Sequence, residues 1–61
     1  MIDLDEHARL INLLMDLKSK AEEALADAQK GEFLDVRWAA SEIAVMAGTA
    51  EENATLLAEQ W

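Results

Sequence analysis

His7 is the only histidine in this 61-residue chain, and with Asp3 and Glu6 close by it marks the one place where a general base or a metal ligand could be assembled. A carboxylate-bridged di-iron bundle needs Glu-x-x-His pairs on two of its helices, and no such pair occurs. Ser19 and Ser41 have no histidine near them in sequence, and cysteine and tyrosine are absent. No nucleophile therefore has a base beside it, and two isolated glycines, Gly31 and Gly48, make no phosphate-cradling loop. The expectation is no catalytic residue, no metal site and no cofactor. His7 is expected to be a partly buried, hydrogen-bonded side chain near the open end of the fold.

The remaining chemistry is acidic. Thirteen Asp and Glu stand against five Lys and Arg, a net charge of −8. Such a charge argues against holding nucleic acid or anionic lipid by general electrostatics. Part of it reads as a solvated helix face, with Asp5 four residues before Arg9 and Asp16 four before Lys20. The distribution is uneven, because residues 32–61 carry six acids and Arg37 as their one base. That asymmetry suits an imitation of nucleic acid, or a docking face for a basic protein.

The elements that position these groups follow from periodicity. Hydrophobic residues are 52% of the chain and proline is absent, so neither disorder nor a broken chain is expected. Steps of three and four from His7 reach Leu10, Leu14, Leu17, Ala21, Ala24 and Ala28. The same steps from Phe33 reach Val36, Ala40, Ile43, Ala47, Ala50, Ala54, Leu57 and Trp61. Each is a seam of the kind coiled-coil packing uses. Between them Gly31 can take the left-handed conformation that ends a helix. Asp3 is placed to cap the first helix, with Glu6 completing a capping box. The reading is an all-α antiparallel hairpin, helix 1 over about 3–30 and helix 2 over about 33–60, in a single domain spanning 1–61. The alternative is three helices, with a break at Gly48-Thr49 and a capping box from Thr49 to Glu52.

Folding at Gly31 brings residue i near residue 62−i, so bulky Leu10, Leu14 and Leu17 face alanines 54, 50 and 47, within a turn of those levels. At the turn end Phe33, Val36 and Ile43 meet Ala28, Ala24 and Ala21. Apolar residues are left over. Leu4, Ala8, Ile11 and Met15 form a second stripe on helix 1, and Leu34, Trp38 and Val45 lie off the seam on helix 2. These seven are the expected interface, for a second copy or another protein. Trp61 is expected to cover the bundle end near Leu4.

A chain of this size has a marginal core on its own and usually needs a staple. Without cysteine, association is the staple that remains, and two-fold pairing into a four-helix bundle is the simplest form. In size and patterning the chain resembles the small plasmid copy-number regulators, hairpins that dimerise into a four-helix bundle and bind RNA. It departs from them in its scarcity of basic residues. The acidic start offers no basic segment for a secretory signal and no apolar run approaches about 20 residues, so a cytoplasmic setting without membrane contact is expected. Function is expected to be docking onto an unidentified protein by a non-enzymatic homodimer, as small regulators, adaptors and antitoxins do. The alternative is an acidic decoy for a nucleic-acid-binding protein, and a metal-binding bundle comes third.

Overall fold

The computed structural model describes residues 4–60, two α-helices packed antiparallel. Helix α1 runs Leu4–Gln29 and α2 runs Phe33–Gln60. The capping role of Asp3 and the end-covering role of Trp61 lie outside the described residues. Neither helix is long and apolar enough to cross a membrane.

The turn is decided at Gly31, whose φ of 78° no L side chain adopts comfortably. Its N–H donates to the Ala28 carbonyl at 3.1 Å, and that of Glu32 donates to Asp27 at 2.9 Å. These two bonds form a Schellman motif, which satisfies carbonyls that the end of α1 would leave open. The Glu32 carbonyl then accepts from Val36 at 3.2 Å and starts α2. One residue thus closes the first helix and opens the second.

The three-helix alternative does not occur. Helix α2 passes through Gly48 without a positive φ, and the Thr49 hydroxyl donates back to the Val45 carbonyl at 3.3 Å instead of capping forward. Thr55 does the same to Glu51 at 2.9 Å. A hydroxyl bonded one turn back leaves the helical ladder intact.

The line along which the helices touch differs from the sequence seam in half of its positions. On α1 the half-buried residues are Glu6, Leu10, Leu13, Leu17, Lys20, Ala24 and Asp27, with Ala26 beside them. On α2 they are Val36, Ile43, Met46, Asn53 and Leu57, together with buried Ala39 and Ala50. Leu10, Leu17, Ala24, Val36, Ile43, Ala50 and Leu57 were expected there. Seven alternate positions fall one residue earlier than expected: His7, Leu14, Ala21, Ala28, Ala40, Ala47 and Ala54 are exposed, as is Phe33 at the start of α2. Sequence pattern favoured them because they are apolar, whereas the positions that touch include Glu6, Lys20, Asp27 and Asn53. A hairpin has only one neighbour per helix, and the apolar stripe here is wider than one neighbour can cover.

Candidate functional site

The ion pairs orient the hairpin. Lys20 donates to Glu42 across the helices at 2.9 Å and lies 3.6 Å from Glu23 on its own helix. Both acids therefore mark one flank of the contact line. Lys20 and Glu42 are level as the pairing of i with 62−i requires, so the expected register holds. Arg9 pairs with Glu6 at 3.1 Å, one turn back, and Lys20 turns to Glu42 and Glu23.

The opposite flank is apolar. On α1 it carries Leu4, Ile11, Leu14, Ala21, Leu25 and Ala28, interrupted by His7 and Lys18; all are exposed. On α2 it carries Phe33 and then alanines 40, 44, 47, 54 and 58, interrupted by Arg37 and Glu51. Phe33 is 71% exposed and Leu25 60%. Of the twelve acids among the described residues, Glu51 alone stands on this flank. Leu25 was not singled out by sequence reasoning. It does belong to a run of three-and-four steps from Leu4 through Ile11 and Leu14, masked by Lys18.

The seven expected interface residues divide between two surfaces. Leu4 and Ile11 belong to the apolar flank, and Ala8 and Met15 sit at its outer edge on α1. Leu34, Trp38 and Val45 lie on the outside of α2, toward the acidic flank, with Trp38 67% exposed. Leu34, Arg37, Trp38 and Ser41 line a shallow depression there. One flat partner cannot cover both groups.

His7 is exposed on the apolar flank, not partly buried as expected. At the turn the carboxylates of Asp27, Glu32 and Asp35 lie within 4.8 Å of one another. The Schellman bond sets Asp27 beside Glu32, where a hydrophobic pair is the usual occupant. Exposed acidic trios are common without an ion, and no histidine joins this one.

The molecule measures 47 × 14 × 12 Å, with a radius of gyration of 14.1 Å against about 10.5 Å for a compact chain of this length. Its accessible surface is 4801 Å². A compact monomer of its mass exposes about 4,000 Å². Only Ala39 and Ala50 are buried among the described residues, and both are small. No family model matches the chain, and neither a curated protein nor a solved structure matches it.

Proposed function

We propose that this chain is a small, acidic, non-enzymatic interaction module, a homodimer forming a four-helix bundle that docks onto another protein in the cytoplasm. The observation that carries this reading is an inversion of burial. Two alanines are the only buried residues among those described, while ten large apolar side chains stand exposed. Small regulators, adaptors, antitoxins and phage or plasmid accessory proteins work by surfaces of this kind. Light scattering of the purified chain tests the dimer directly: twice 6.8 kDa at micromolar concentration is the expected mass, and 6.8 kDa throughout would refute it.

A second reading, an acidic decoy for a nucleic-acid-binding protein, is supported by the acids gathered off the apolar flank. Ionic strength separates the two. Apolar docking weakens little between low and physiological salt, whereas decoy binding weakens steeply.

A further inference from the structure

We propose that the flank carrying Leu14 and Leu25 takes a second copy of this chain about a two-fold axis parallel to the helices, so that α1 of each copy lies on α2 of the other. The inference rests on the dimer reading above and adds its face and its symmetry. The first argument is rotational. Exchanging the alternate positions of a stripe for their next neighbours turns its centre by about 50°, at about 100° per residue. The most apolar direction of each helix is offset by that angle from the line of intrahelical-hairpin contact, toward the flank. In a square four-helix bundle each helix has two neighbours at right angles, and its apolar centre points between them, about 45° from either. Both helices of this hairpin are turned for a neighbour that a single copy does not have.

The second argument is volume. In the register that Lys20 and Glu42 define, Leu4 and Lys18 are level with Ala58 and Ala44, and Leu14 with Gly48 next to Ala47. Placing α1 on α2 of the partner therefore sets Leu4, Leu14 and Lys18 against small residues and Phe33 beside the partner's Ala28, while Ile11 comes level with the partner's Glu51 and Leu25 with the partner's Arg37. A two-fold perpendicular to the helices would set a bulky row on a bulky row and alanines on alanines, spacing the two helix pairs unequally. The third argument is charge: a surface with one acid from a chain of net charge −8 is the face on which two copies repel least. The fourth is area. The roughly 800 Å² of surface beyond a compact monomer's equals what one partner contributes to a standard interface.

The chain has no cysteine, so introduced thiols report cleanly. Leu14→Cys and Ala47→Cys variants, mixed and oxidised, should give a cross-linked dimer. Neither alone should, since like positions sit on diagonal helices beyond disulfide reach. A Leu14→Glu, Leu25→Glu variant should weaken dimerisation at least tenfold, the scale of buried anchors, while Trp38→Glu leaves it unchanged. A wild type that stays at the monomer mass overturns this inference and the dimer reading together. A dimer that cross-links through Leu14→Cys alone, gives no mixed cross-link, or is broken by Trp38→Glu, overturns the face or symmetry and leaves the dimer standing.

Discussion

The ammonium of Lys20 lies 2.9 Å from the Glu42 carboxylate on the opposite helix, near the middle of a contact line that also carries Glu6, Asp27 and Asn53. This bond fixes the register of the hairpin and identifies its polar flank. It places a charge where the contact line would otherwise carry an apolar side chain.

The hydrogen bond from Lys20 to Glu42, the negative charge of Glu42 and then that of Glu23 raise the lysine pKa above its ordinary 10.5. A raised folded value means the pair's contribution is fully present below the unfolded pKa and is lost as pH climbs through the folded one. The contribution of this pair should therefore fade in the alkaline range, above about pH 10.5. Glu42→Gln should flatten that loss. Thermal midpoints of the wild type and variant followed from about pH 8 to about pH 12 check it, and parallel curves would count against the bond.

The two glycines should respond to alanine with opposite signs. Gly31 has a positive φ, so Gly31→Ala should destabilise by about 1 kcal/mol. Gly48 lies inside α2 with open space where a Cβ would stand, so Gly48→Ala should stabilise by up to ~1 kcal/mol. Urea midpoints measure both. A lower midpoint for Gly48→Ala would contradict the continuous helix.

Asp27 is disfavoured twice, by the carboxylates of Glu32 and Asp35 and by its place in the last turn of α1, where the helix dipole favours cations. Asp27→Asn should stabilise by about 0.3 kcal/mol at low salt, and the gain should shrink as salt is added. Denaturation at two ionic strengths reads this out, and a loss of stability would mean that the trio holds something together.

Trp38→Ala should leave helicity and dimer mass unchanged, because Trp38 is exposed on the outside of α2, off both the contact line and the apolar flank by helical position. Its effect should fall on a heterologous partner docking at the Leu34–Trp38 depression, with a loss of ~2 kcal/mol or more in affinity. Sedimentation at two concentrations supplies the first half of the test. A variant that dissociates or unfolds on dilution would move Trp38 into the dimer interface.

Two long helices and a turn at Gly31 were legible in the sequence, because helix propensity, a three-and-four apolar period and a glycine between two runs are local signals. The register that sets residue i near 62−i was legible too, since a short turn leaves an antiparallel pair one register, but the Lys20–Glu42 pair was not, because Asp16 one turn before Lys20 was the local partner on offer. What the sequence could not say is which edge of a broad apolar stripe touches the other helix. Leu14, Phe33 and the alanines at 40, 47 and 54 are better seam residues by composition than Lys20, Asp27 and Asn53, yet the latter are half-buried and the former exposed. Only tertiary structure decides this. Rotation of a helix about its axis is set by all its contacts at once, and a stripe wide enough for two neighbours leaves a single neighbour free to take either edge.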